Sequence, residues 1–199
     1  MQDSSDSIVV ETTRRIFQDL GDPQTLNAAA DAAWKPKLWQ ALEESGLTLA
    51  WVPEAAGGTG AATIDAFDVA RISGQYAAPV ALAETLLAGW TLAQAGQTCA
   101  PGPMTIAPMR DGAPIQADSN GRLNGRAKYV AFAREATQIV VLAERDGACV
   151  IAGVSPDDCQ IADRPTDMGG ERADLSFTDA PTRFLVEAPA GFDINTVRQ

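Results

Sequence analysis

The 199-residue chain contains no histidine. That absence removes Ser-His-Asp and Cys-His catalysis, and with them the commonest metal ligand. Cysteine is scarce: Cys99, Cys149 and Cys159 are odd in number and form no Cys-x-x-Cys pair, so neither a disulfide framework nor a zinc ribbon is implied. A cytoplasmic location is the simplest expectation. Positive charge is outnumbered, with 15 Lys and Arg against 26 Asp and Glu giving a net charge of −11, which would repel a nucleic-acid backbone. Long apolar runs are missing too: Glu84 and Gln94 interrupt even residues 79–96, and Met1-Gln-Asp-Ser-Ser-Asp-Ser lacks the basic-then-apolar order of a secretory signal. No metal, nucleic-acid or membrane partner is therefore expected.

What is present reads as an ordinary globular chain, 46% hydrophobic and 21% charged. Its first half has helical periodicity. Ile8, Val9, Ile16, Phe17 and Leu20 share one face of a helix over Ser7 to Leu20, with Gly21 as its stop. A second helix is expected over Leu26 to Trp34. Pro36 suits the first turn of a third, which turns Leu38, Trp39 and Leu42 inward and ends at Gly46. Further helices are expected over Thr63 to Tyr76 and from Pro79 to Gln94. Glu84 lies in the apolar surroundings of the last; a solvated or ion-paired carboxylate is the plainer reading, a base of raised pKa the sharper one.

Between the third and fourth helices lies Trp51-Val-Pro-Glu-Ala-Ala-Gly-Gly-Thr-Gly60, whose glycines permit a tight turn or a close approach of backbone. No Gly-Lys-Ser/Thr follows and no buried strand precedes it, so phosphate-loop and dinucleotide fingerprints both fail. An ordinary interhelix loop is the reading that physical grounds favour.

After Pro101-Gly102-Pro103 the texture changes to short β-prone runs: Met104–Pro108, Ala113–Ala117, Arg122–Phe132, Thr137–Glu144, Ala148–Val154, Cys159–Ala162, Ala173–Phe177 and Phe184–Val186. Asp111-Gly112, Asn120-Gly121, Asp146-Gly147 and Pro156-Asp157 punctuate them, and Asn-Gly and Asp-Gly tolerate the positive φ that tight hairpins demand. A small closed or nearly closed barrel would leave the fewest exposed edges. The fold class is thus α+β: an all-α domain over residues 1–99, a small β-barrel-like domain over 100–189, and in 190–199 a linker or the start of another helical domain around Ile194 and Val197. Arg122, Arg126, Lys128 and Arg134 are the densest cations of this acidic chain and share one strand parity unless a bulge intervenes. They could meet phosphates, or form a solvated face balanced by nearby acids.

Three stretches resemble the acyl-CoA dehydrogenase family. The first runs from Leu38 to Leu47, then Val52-Pro53-Glu54 and Gly57-Gly58-Thr59-Gly60, into a helix over Asp65 to Ser73. It is similar to that family's amino-terminal domain, in which a helix ending in Gly leads into a "Pro-Glu…Gly-Gly-x-Gly" loop. The second, Ala78-Pro-Val-Ala-Leu-Ala-Glu-Thr-Leu-Leu-Ala88, resembles a bacterial branch acting on bulky CoA thioesters, as in lipid or steroid degradation. The third, Leu123-Asn-Gly-Arg-Ala-Lys-Tyr-Val130, resembles the family's middle-domain strand.

The resemblance implies an FAD flavoprotein that oxidises a CoA thioester to its α,β-unsaturated form. It implies work as a homo- or hetero-oligomer with another acyl-CoA dehydrogenase chain, with an electron-transfer flavoprotein as a possible partner. It also implies three cofactor-binding positions. Tyr129 stands where the family usually has a Trp beside the flavin, Val130 follows, and Ala131 replaces the usual hydroxyl-bearing Thr. The family's catalytic carboxylate lies in a carboxyl-terminal helical bundle that has no counterpart here, so no catalytic residue is assigned and the chain alone is expected to be inactive. Ala131, together with a degraded "Thr-Glu-Pro…Gly-Ser-Asp" loop at Thr105 to Gly112, points to an alternative: a non-catalytic partner subunit of a heteromeric dehydrogenase. A flavin-free binding module is a third reading.

Overall fold

The computed structural model describes residues 7–29, 31–108, 113–165 and 171–192. It divides into two compact units, Met1–Leu86 and Leu87–Gln199, with the division inside a helix, Leu82–Gln94.

The first unit holds α1 (Ile8–Leu20), α2 (Pro23–Ala28), α3 (Trp34–Glu44), α4 (Thr63–Tyr76) and the start of α5 (Leu82–Gln94). Val10, Phe17, Leu38, Leu42, Val69 and Ile72 form its core, and Phe17 stacks on Tyr76 with ring centroids 5.6 Å apart. The helix expected over Leu26 to Trp34 is displaced: α2 begins at Pro23, because Asp22 caps it by accepting from the Thr25 amide at 2.9 Å, and Trp34 opens α3 instead. α5 starts three residues after Pro79. The chain before it turns through Ala77 at φ +48° and two tight contacts, Val80 N–H to Ala78 O and Leu82 N–H to Val80 O, both 2.8 Å.

The loop between α3 and α4 is set by its glycines. Gly46 (φ +70°) and Gly57 (φ +86°) take the left-handed turns that end a helix and a 3₁₀ turn. Gly58 has a different reason: a Cβ there would lie 1.7 Å from the Val52 carbonyl oxygen, so the two backbones approach as only glycine allows. Trp51 pins the loop to α4, its indole N–H donating to the Ala66 carbonyl at 2.8 Å.

The second unit carries one mixed sheet of eight strands: β1 (Met104–Ala107), β2 (Gln116–Ala117), β3 (Leu123–Ala131), β4 (Gln138–Arg145), β5 (Ala148–Val154), β6 (Gln160–Arg164), β7 (Arg172–Ala180) and β8 (Phe184–Glu187). Their order is β6-β7-β3-β2-β4-β5-β8, with β1 also on β4. β1 and β2 run parallel to β4 in succession along it, and the other pairs are antiparallel. β4 is buried on both sides. Ile139, Val141 and Ala143 join Leu123, Ala127, Leu175 and Phe177 in one core, while Val140 and Leu142 join Ala88 and Leu92 of α5 in another. Asp146-Gly147 makes the expected two-residue hairpin, with φ of +53° and +80° and Arg145 paired to Ala148. The Asp111-Gly112 turn and the helix start at Ile194 and Val197 lie outside the described residues.

Candidate functional site

The site is built where β3 breaks its own alternation. Leu123 and Ala127 point into the core and Asn124, Arg126 and Lys128 away from it, but the register with β7 shifts between Ala127 and Val130. This bulge places an extra residue on the outer side. Tyr129 takes φ +60°, rare for a residue with a Cβ, and keeps its side chain 58% exposed. Val130 and Ala131 are both buried, Val130 within the core. Parity alone would put Tyr129 and Ala131 on one face; the bulge separates them, and of the three expected cofactor contacts only Tyr129 presents its side chain to solvent. The Ala131 carbonyl is also engaged, accepting from buried Thr105 Oγ1 at 2.7 Å, which ties β1 to the end of β3.

Around Tyr129 stand residues that the sequence did not single out. The Arg164 guanidinium lies 4.7 Å from the Tyr129 ring centroid, a cation–π distance. Its Nη2 donates to Asp174 Oδ2 at 2.6 Å, and Asp174 Oδ1 accepts from the Tyr129 amide at 3.2 Å. The Arg164 hydrogen bond, ahead of the Tyr129 amide, holds the Asp174 carboxyl below its usual range against the opposing effect of desolvation. A carboxyl with a depressed folded pKa stabilises the fold above its ordinary value of about 3.9 and loses that contribution as pH falls through the folded value. The expected result is a melting-temperature gap between the native chain and Asp174→Asn near neutrality. It should close only below about pH 4, which thermal melts along a pH series would check.

The cationic group read from the sequence divides. Arg122 pairs with Asp179 at 3.2 Å, and Arg134 pairs with Asp163 at 2.6 Å while also donating to the Ile161 carbonyl. Only Arg126 and Lys128 remain beside Tyr129. Arg134 instead lines an open groove of ≈ 390 Å³ with Pro156, Asp157, Cys159 and Ile161. There the Cys159 thiol is pushed up to about 11, by burial first and then by Asp158 and Asp157, so it is a poor nucleophile at neutral pH. Iodoacetamide at pH 8 should alkylate Cys159 on the order of tenfold or more slowly than an ordinary thiol, as peptide mapping by mass spectrometry would show. Glu84 has a partner within the structure, and no cluster of three or more His, Cys, Asp or Glu able to hold a metal occurs among the described residues. None of their helices is long and apolar enough to cross a membrane.

A helical unit followed by a mixed-sheet unit is a two-part α+β architecture that solved structures share. The acyl-CoA dehydrogenase N-terminal domain matches residues 4–98, so this part of the chain is similar to that domain. Over the described residues the fold is that of the family's amino-terminal and middle domains. The Tcur3481-Tcur3483 steroid ACAD, solved as a variant, superposes with a TM-score of 0.76 at 23% identity, covering 92% of this chain and 56% of that one. The ChsE4-ChsE5 complex from Mycobacterium tuberculosis gives a TM-score of 0.74 at 20% identity, over 94% and 59%. An acyl-CoA dehydrogenase from Bacillus anthracis complexed with FAD gives 0.61 at 19%, over 93% and 37%. The chain thus spans a little over half the length of the first two. No curated protein matches it in sequence.

Proposed function

We propose that this chain is an acyl-CoA dehydrogenase-like flavoprotein subunit that takes part, within an oligomer, in the α,β-dehydrogenation of a CoA thioester. The observation that carries this reading is Tyr129, an aromatic ring held out of the sheet by a bulge at the position where the family places a flavin-facing Trp. The steroid ACAD of similar fold supports a bulky acyl group as substrate class, and two structures named as pairs of chains support a hetero-oligomer. FAD supplies the two-electron acceptor that such a reaction requires. In this chain Tyr129 fits a planar cofactor; the side chains of Val130 and Ala131, turned inward, do not. An electron-transfer flavoprotein is the external acceptor this reading favours, in the cytoplasm.

Ala131 favours a second reading. A buried methyl where the family carries a hydroxyl leaves no side-chain donor, which suits a non-catalytic partner subunit whose related chain supplies both flavin and base. Large apolar side chains exposed on the helical unit, Ile8, Ile64 and Phe67, suit association under either reading.

Light scattering at micromolar concentration is expected to find the chain associated with itself or with a related chain. Acyl-CoA-dependent dye reduction should follow only in the assembly, the isolated 199-residue polypeptide being inactive. A monodisperse monomer, or turnover by the isolated polypeptide, would contradict the proposal.

A further inference from the structure

The chain holds two Asn-Gly pairs close together, Asn120-Gly121 and Asn124-Gly125. An asparagine followed by glycine is prone to cyclise, because no Cβ on the following residue keeps its backbone nitrogen away from the asparagine side-chain carbon. The reaction needs a free side-chain amide and a peptide nitrogen that can swing toward it. On both counts the structure treats the two pairs differently.

Asn124 is held within β3, opposite Gln116 of β2, and Gly125 stands opposite Phe177 of β7. The Asn124 Oδ1 accepts from the Asp179 amide at 2.9 Å, and Ile115 crowds Gly125 so closely that a Cβ there would lie 2.9 Å from the Ile115 Cα. Bringing the Gly125 nitrogen onto the Asn124 side chain would require undoing the ladders on both sides of β3. Asn120 carries none of these restraints. It is exposed in the loop between β2 and β3, and its side chain forms no hydrogen bond among the described residues. Its own N–H donates to Asp118 Oδ1 at 2.8 Å, and the Gly121 N–H donates to the Asp118 carbonyl at 3.1 Å. Both bonds are local to an exposed loop, where opening is far easier than in a paired strand.

We propose that Asn120 is a site of spontaneous deamidation, with Asn124 protected by the sheet. The Gly121 nitrogen loses its proton to solvent base and bonds to the Asn120 Cγ; the Cγ–Nδ2 bond breaks and ammonia leaves, closing a succinimide ring. Water then opens the ring at either carbonyl. One opening gives aspartate in the ordinary main chain, and the other gives isoaspartate, whose main chain runs through Cβ and Cγ and is longer by one atom. The sum is an amide and water converted to a carboxylate and ammonium, with no oxidation or reduction. The added length matters because this loop is also a tie: the Gly121 carbonyl accepts from Thr182 Oγ1, in the turn before β8, at 2.9 Å. Isoaspartate draws that carbonyl out of register with Thr182, whereas aspartate leaves it in place.

The test is incubation of the folded full chain in heavy-oxygen water at mildly alkaline pH, beside a sample unfolded in urea. Trypsin cuts after Arg110, Arg122 and Arg126, so the two pairs fall in separate peptides, and fragment masses locate the incorporated oxygen. In the unfolded sample both pairs should convert at similar rates. In the folded chain Asn120 should convert on the order of tenfold or more faster than Asn124, and Asn120→Gln should stop the conversion at this position. The converted chain should melt below Asn120→Asp, which carries the same charge without the extra atom. Equal conversion of the two pairs in the folded chain, or an Asn120 that stays intact while the unfolded sample reacts, would overturn the site. A converted chain that melts together with Asn120→Asp would overturn the consequence drawn for the Thr182 tie.

Discussion

Gly58→Ala is expected to destabilise the helical unit by about 2–4 kcal/mol. A methyl group at this position would lie 1.7 Å from the Val52 carbonyl oxygen and 2.4 Å from its carbon, so backbone rather than a flexible side chain must move. Moving it strains the Gly58 N–H to Pro53 carbonyl bond and displaces Trp51, whose indole joins the loop to α4. For a unit of this size the melting temperature should fall by on the order of 10–20 °C. Gly57→Ala is the control. Gly57 has φ +86° but nothing within 4 Å of an added Cβ, so its cost is conformational alone, about 1 kcal/mol. Equal melting temperatures for the two variants would refute this account of the loop.

The second large effect is expected at Ala131. Ala131→Thr would restore the hydroxyl that the resembling family carries, yet the side chain is buried and the adjoining carbonyl already accepts from Thr105. The hydroxyl enters the interior without an assured partner, so a loss of roughly 1–3 kcal/mol is expected, with no gain in flavin retention. Tyr129→Ala should behave in the opposite way. Its side chain is exposed, so stability changes little, while flavin occupancy falls by about three- to tenfold as the stacking surface disappears. Measuring melting temperature and bound flavin on both variants in the assembled oligomer separates the two effects. A flavin gain in Ala131→Thr without loss of stability would show that the residue faces a cofactor after all.

Much of the fold was legible because its signals are local. The Asp146-Gly147 hairpin and the helix over Thr63 to Tyr76 are carried by residues adjacent in sequence, and the structure places both as expected. The second helix begins at Pro23 rather than Leu26 because Asp22-Pro23 supplies a capping residue followed by the residue best suited to a helix's first position. The site was less legible for a different reason. Tyr129 is visible as an aromatic in a strand, but its exposure depends on a bulge that simple alternation does not reveal. Arg164 and Asp174 reach it only through the β3–β7–β6 register, and that register pairs residues far apart in the chain. Arg122 and Arg134, meanwhile, are drawn away into ion pairs with Asp179 and Asp163.

The central claim, that this chain is part of an acyl-CoA dehydrogenase-type flavoprotein, is tested most directly by the visible absorption spectrum of the chain purified with its natural partner, alongside intact mass. The expected result is an oxidised-flavin spectrum that bleaches when acyl-CoA is added, with less bound flavin in the Tyr129→Ala assembly. A colourless assembly of full-length chains that stays colourless when supplied with FAD would contradict it.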